Sequence, residues 1–440
     1  MQKGVYKLEK IVINGKRKIG GEISVQGAKN SVLPILVASL LVSGVSVIHN
    51  CPCLSDVDAT VKILEYLGCT VKREGHTVVV DSSSADRFDV PDDLMREMRS
   101  SIVFLGGILG RMGKAELSAP GGCEIGLRPI DLHLNAMEQF GAKIDSDGGT
   151  VLCSAPDGLH GAHINLSFPS VGATENIILA AALADGTTTI TNAAREPEIC
   201  DLADFLNRCG AKIHGAGDGT VTVEGVKKLH GTEHTVIPDR IVASTFMIAA
   251  AMTGGRLCLK DVIPSHIGPV FGPLREAGCD ITVSGRWVCL EAPHRLKRIK
   301  MIRTMPYPGF PTDVQAQIMA LTTVAEGTSV IIENIFESRF KHISEFLRFG
   351  AKISAEGRMA VVEGVKELHS ASVKATDLRG GIAMVLEGLC AEGETTVSDI
   401  YHIDRGYEKP ENVLSFLGAD VKRVTDYERK DNKIEELPFS

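Results

Sequence analysis

The chain has 440 residues, of which 44% are hydrophobic and 23% charged, with a formal net charge of −8. That balance excludes a disordered or membrane-embedded chain, and the acidic excess argues against a general nucleic-acid surface. The length exceeds one ordinary core and suits two domains of about 200 residues each.

From the N-terminus, residues 1–10 carry three lysines and neither an apolar core nor a small-residue cleavage site, so no secretory leader is expected. Residues 6–22 predict two strands and no helix, spare material that can complete the other half of the protein. The stretch from Ser31 to Ile48 is the most apolar early segment. Pro34, Ser39, Ser43, Gly44 and Ser46 interrupt it, and it lacks the unbroken run of roughly 20 residues that spans a bilayer. No transmembrane helix is expected, and the cytoplasm is the expected compartment.

One short signature recurs down the chain: Leu67-Gly68-Cys69, Phe140-Gly141-Ala142, Cys209-Gly210-Ala211, Ala277-Gly278-Cys279, Phe349-Gly350-Ala351 and Leu417-Gly418-Ala419. Its glycines are 73, 69, 68, 72 and 68 residues apart. Each follows apolar residues at helical spacing and precedes a β-rich run, which makes the glycine a helix C-cap. In the first five copies a polar turn and a second strand follow. The repeating unit reads as helix, strand, helix and hairpin, with a strand leading into it. Six units divide into two groups of three, with chain crossings near residues 28 and 237. The expected domains are 29–236, and 1–28 together with 237–424; residues 425–440 read as a polar tail.

The starts of the helices hold an unusual set of residues. Lys29-Asn30 opens the first, Arg99 the second, Ser170-Val171-Gly172 the third, Pro311-Thr312-Asp313 the fifth and Asp377-Leu378-Arg379 the sixth. Helix N-termini aimed at one cleft build an anion site. Cations there oppose the helix dipole, so helix stability alone would not choose them; the alternative is a solvated surface charge. The fourth unit, from Asp239 to Ala292, offers no comparable residue.

Between the helices of the second unit, Pro120-Gly121-Gly122-Cys123 leads to Arg128-Pro129-Ile130-Asp131-Leu132. Three glycines around one thiol predict a mobile loop, and a thiol near a cation can act as nucleophile or acid, although a lone cysteine is more often structural. Asp313 reads either as a first-turn helix acid or as a base facing a hydroxyl. Arg405 sits in a turn after a strand. The other ten cysteines are scattered, and Cys51 and Cys53 lack a metal-ligand spacing, so neither a zinc site nor a disulfide framework is expected.

Together these segments carry a specific resemblance. Gly27-Ala28-Lys29-Asn30-Ser31, the Pro-Gly-Gly-Cys loop, Arg128 to His133, Ser170 to Thr174, Ala194 to Glu198, Phe310 to Asp313, Thr376 to Arg379 and Ile403 to Tyr407 resemble, in order, the UDP-N-acetylglucosamine 1-carboxyvinyltransferase family of the EPSP synthase superfamily. The resemblance implies an inside-out α/β barrel of two domains, helices inside and sheets outside. It also implies transfer of the enolpyruvyl group of phosphoenolpyruvate to the sugar 3-hydroxyl, with loss of phosphate, as the committed step of peptidoglycan synthesis. No cofactor, metal, nucleic acid or membrane is implied, and one copy of the chain suffices for catalysis.

By matching motif, Lys29, Asn30, Arg128 and Arg405 would hold phosphoenolpyruvate. Cys123 would be the proton donor, able to form a covalent phosphoenolpyruvate adduct and to react with fosfomycin. Arg99, Arg128, Pro129, Ile130, Asp131, Leu132, Ser170, Val171, Gly172, Asp313 and Ile335 would meet the UDP-sugar, with Asp313 near the 3-hydroxyl as a catalytic residue, acting either as base or in product release. Arg339, Asp377 and Arg379 would line the cleft. Two positions depart from many members: Phe168 where a lysine is common, and Ser338 where an asparagine is. Two other readings stand beside this one: a shikimate 3-phosphate enzyme of the same barrel, and a non-catalytic binder of the UDP-sugar.

Overall fold

A computed structural model describes residues 5–97, 101–118, 130–147 and 149–429. Six helices form the interior: Lys29–Ser39, Phe104–Met112, Val171–Ala181, Arg240–Met252, Gln315–Thr323 and Leu378–Cys390. Every residue of the fourth and of the fifth is buried. A helix covered on all sides belongs inside a domain. The sheets lie outside them, and strands such as Thr187–Thr191 alternate buried and more exposed residues, one face inward and one outward.

Among the described residues, six four-stranded sheets repeat one plan. In the third, His163–Asn165 pairs parallel with Thr187–Thr191, which pairs antiparallel with Thr220–Glu224, which pairs antiparallel with Lys212–His214. All six signature glycines adopt positive φ, from 86° at Gly350 to 101° at Gly418, the left-handed conformation that ends a helix without a Cβ clash.

The chain's first strands complete sheets far along the sequence. Val5–Asn14 lies between Glu394–Ser398 and Asp420–Arg429, supplying the hairpin strand that the sixth copy lacks. Gly20–Ser24 pairs parallel with Arg256–Lys260 of the fourth unit. Conversely, Glu233–Thr235 returns to pair with Val45–His49 of the first. The buried hydrophobic residues accordingly fall into two clusters, one running from Ala28 to Val236 and the other combining Ile11 to Ile23 with Ile241 to Val421. Where the chain passes between them its two crossings run side by side: Ala28 N–H donates to the Ile237 carbonyl at 2.8 Å, and Asp239 N–H to that of Gln26 at 2.9 Å.

Within the first core, Phe104–Met112 is wedged between its neighbours by glycines. A Cβ on Gly106 would collide with the Asn176 carbonyl oxygen, and one on Gly107 would stand 2.7 Å from a Val37 methyl. Two expectations need correcting. Residues 425–429 are not tail but continue the strand Asp420–Arg429, because backbone pairing with Val5–Asn14 needs no apolar side chains and Lys10 holds Asp426 at 2.7 Å. Cys258 and Cys289 are joined by a disulfide: the antiparallel register sets them opposite each other, although 31 residues separate them in sequence.

Candidate active site

The first inner helix begins at Lys29, where the two chain crossings lie together. The Lys29 backbone N–H is accepted by the Asp239 carboxylate at 3.1 Å, and Asp239 also caps the fourth inner helix through Ile241 and Val242. The Lys29 ammonium sits 2.8 Å from Asp56, a carboxylate only 1% exposed. The same carboxylate accepts two bonds from Arg405, from Nε at 2.8 Å and from Nη2 at 3.1 Å. Two cations from different cores thus share one anion, an arrangement with charge left over for an incoming phosphate or carboxylate. Burial lowers the Lys29 pKa despite the opposing pull of Asp56. Burial would raise the Asp56 carboxyl, but Lys29 and Arg405 outweigh it and hold it below the usual carboxylate range.

A second cluster of the same form adjoins it. Asp313 lies in the tight turn Thr312–Val314 ahead of the fifth inner helix, and Arg339 donates to its Oδ1 at 3.0 Å while Arg379 donates to its Oδ2 at 2.9 Å. Asn30, next to Lys29, reaches the same Oδ2 at 3.4 Å. Burial works to raise the Asp313 pKa, but Arg379 and Arg339 hold it well below the ordinary range. Arg379 is the second residue of the sixth inner helix, which Asp377 caps. Tyr407 supports it from behind: its hydroxyl accepts from Arg379 at 3.3 Å and from Gln317 at 3.1 Å, and lies 2.8 Å from the Thr245 hydroxyl.

Ile335 hangs from the same frame. Glu333 accepts from the Ile335 N–H at 2.8 Å and, through its other oxygen, from the Thr312 hydroxyl at 2.9 Å, tying this loop to the turn that carries Asp313. In the first core, Ser170 caps the third inner helix, and a Cβ on Gly172 would stand 3.3 Å from the His133 ring. Ile130 precedes, and Asp131 and Leu132 open, the helix that bears His133, which packs against the third inner helix. Phe168 is exposed just ahead of Ser170. Arg99, Cys123, Arg128 and Pro129 lie outside the described residues.

Several residues of these networks escaped the sequence reading. Asp56 looks like an ordinary first-turn acid of the helix Ser55–Tyr66, and nothing local reveals its two cationic partners. The fourth unit does contribute, since Arg240 opens its inner helix and binds Glu198 across the seam at 3.0 Å; beyond that unit, Tyr307 N–H donates to Glu196 at 3.3 Å. A signal existed for Arg240, since it is another cation at a helix start, the position that drew attention to Lys29 and Arg379.

The chain is similar to known proteins over most of its length. The profile of the EPSP synthase (3-phosphoshikimate 1-carboxyvinyltransferase) family matches residues 13–414. The crystal structure of the enolpyruvyl transferase NikO from Streptomyces tendae superposes with a TM-score of 0.86 at 26% identity, covering 96% of this chain and 100% of that one. An EPSP synthase from Acinetobacter baumannii shares the fold, with a TM-score of 0.74 at 18% identity over 95% of this chain and 100% of that one. The chain belongs to the EPSP synthase family of enolpyruvyl transferases.

Curated relatives narrow the membership. UDP-N-acetylglucosamine 1-carboxyvinyltransferase 2 of Caldanaerobacter subterraneus subsp. tengcongensis is 51% identical over 94% of this chain and 99% of its own. UDP-N-acetylglucosamine 1-carboxyvinyltransferase of Trichlorobacter lovleyi is 49% identical over 95% and 100%. Within the family the chain is a member of the UDP-N-acetylglucosamine 1-carboxyvinyltransferases, and the inside-out arrangement of helices and sheets is the fold of its relatives.

Proposed function

We propose that this enzyme transfers the enolpyruvyl group of phosphoenolpyruvate to the 3-hydroxyl of UDP-N-acetylglucosamine and releases inorganic phosphate, committing the sugar to peptidoglycan in the bacterial cytoplasm. The observation that carries the reading is the pair of clusters at the seam between the cores, Lys29 and Arg405 on Asp56, and Arg339 and Arg379 on Asp313. Residues 29–236 act as one domain, and residues 1–28 with 237–429 as the other.

In this proposal Lys29 and Arg405 receive the phosphate and carboxylate of phosphoenolpyruvate, joined by Asn30 and Arg128, and Asp56 holds the two cations ready in its absence. Protonation of the methylene carbon makes an oxocarbenium-like centre. The sugar oxygen bonds to that centre as its own proton leaves. Elimination then breaks the bond to phosphate, removes a methyl proton and restores the double bond. The proton donor is Cys123, a role that rests on its loop motif, and fosfomycin alkylates it. Asp313, held ionised by two guanidinium groups, is a weak proton acceptor as arranged here; it accepts a hydrogen bond from the 3-hydroxyl and aligns it, and becomes a stronger base only as Arg339 or Arg379 withdraws. The UDP-sugar lies along Arg99, Arg128 to Leu132, Ser170 to Gly172 and Ile335.

Phosphate release from phosphoenolpyruvate, measured with UDP-N-acetylglucosamine or shikimate 3-phosphate as acceptor and with or without fosfomycin, tests the proposal. Fosfomycin-sensitive release with the UDP-sugar alone is expected. Release only with shikimate 3-phosphate would overturn the acceptor, and tight UDP-sugar binding without release would overturn the chemistry.

A further inference from the structure

Three residues before Asp56 stands Cys53, and three residues after Arg405 stands Glu408. The segments that meet through the Asp56–Arg405 pair therefore meet a second time, further out on the same seam. Cys53 N–H donates to Glu408 at 3.1 Å. His76, in the hairpin turn between Thr70–Glu74 and Thr77–Asp81, lies 3.0 and 3.1 Å through Nε2 from the two Glu408 oxygens. The Cys53 sulfur, a His76 ring nitrogen and a Glu408 oxygen all lie within 4.8 Å of one another, and among the described residues this is the one His, Cys, Asp or Glu group so gathered.

We propose that Cys53, His76 and Glu408 form a binding site for a borderline-soft divalent cation of the zinc class, which latches the two cores together beside Arg405. The donor set is one sulfur, one imidazole nitrogen and one carboxylate oxygen. That set suits zinc or cobalt rather than magnesium or calcium, and it leaves a fourth tetrahedral position for water. Tetrahedral ligands around zinc stand roughly 3–4 Å apart, so closing the triad on an ion needs a contraction of about 1 Å.

The surroundings supply what such a site requires. A cavity of about 400 Å³ bounded by His76, Glu408, Asn50 and Gln26 gives an ion a way in. Glu408 is fixed from behind, because its own N–H donates to the Gln26 side chain at 2.8 Å. Arg73 donates to the Cys53 sulfur at 3.1 Å and to the Pro52 carbonyl at 2.7 Å, so it stabilises a thiolate while remaining anchored on backbone. Loading exchanges the sulfur–hydrogen bond of Cys53 for a sulfur–metal bond and releases the thiol proton to solvent. The ligands come from a loop, a hairpin turn and a segment more than 300 residues away, which is why no sequence spacing announced them.

The test is titration of the full chain with Co²⁺, followed by thiolate-to-cobalt absorption and by displacement with Zn²⁺. One Co²⁺ per chain is expected, with the band lost in Cys53→Ser, retained in Cys123→Ala and weakened about tenfold or more in affinity in His76→Gln and Glu408→Gln. Zn²⁺ should also raise the melting temperature of the wild type and not of Glu408→Gln, a readout independent of Cys53 substitution and of enzymatic turnover. No band, a band that survives Cys53→Ser, a band lost in Cys123→Ala, or an equal Zn²⁺ effect on Glu408→Gln would each overturn the site and leave the transferase reading untouched.

Discussion

Replacing Asp56 by Asn removes one charge and almost no volume from the place where Lys29 and Arg405 meet. Each cation lies 2.8 Å from the carboxylate, a separation worth roughly 6 kcal/mol per pair at an effective dielectric constant near 20 before desolvation is counted. Much of that is offset by the cost of burial, and breaking a buried pair from one side costs about 3–5 kcal/mol. Asp56→Asn should lose that amount in urea unfolding. The catalytic consequence has a definite sign. Burial already lowers the Lys29 pKa, and Asp56 is the largest influence opposing it; without Asp56 the pKa falls further. The protonated lysine is the form that grips phosphate, so phosphoenolpyruvate affinity is lost as pH rises through the Lys29 pKa. In the variant that loss should begin at lower pH, read as an earlier rise of the phosphoenolpyruvate KM in a pH series. An unchanged KM profile together with a stability loss below about 1 kcal/mol would refute the shared-anion reasoning.

Other outcomes follow from single residues. Cys123→Ala should abolish covalent fosfomycin labelling in intact-mass measurements; labelling that persisted would remove Cys123 from the site. Gly106→Ala should destabilise the protein by about 1–3 kcal/mol in urea, because the added methyl meets the Asn176 carbonyl in a packed helix contact. Burial pushes the His133 pKa down to about 4 from 6.5, so the folded state favours the neutral ring. The stability this gives is complete above about pH 6.5 and is lost as pH falls toward 4. His133→Gln should show a smaller fall in unfolding midpoint over that range, and an equal fall would place the acid sensitivity elsewhere.

Much of the architecture was legible because the fold repeats. The six glycines announced six helix ends, and all six take the left-handed conformation. The two helix-free strands before Lys29 had no partner in their own unit, and they pair with the fourth and sixth units. Lys29 and Arg379 stood out as cations at helix starts, where local electrostatics disfavours them. What remained hidden is what depends on distant pairing. Asp56 resembles any acid in a first helical turn, and only the fold brings Lys29 and Arg405 to it. Glu333 and Tyr407, which brace Asp313 and Arg379, carry no sequence mark of that role. The Cys258–Cys289 bond and the strand beyond Val424 depend on register between strands, which neither apolar spacing nor cysteine spacing encodes.

The acceptor atom is the most direct point of test. With phosphoenolpyruvate and UDP-N-acetylglucosamine, mass spectrometry and NMR of the product should find the enolpyruvyl group on the 3-oxygen in equal amount to phosphate released, and the 3-deoxy analogue of the sugar nucleotide should yield neither. Turnover with the 3-deoxy analogue, or an enolpyruvyl group on any other oxygen, would contradict transfer to the 3-hydroxyl.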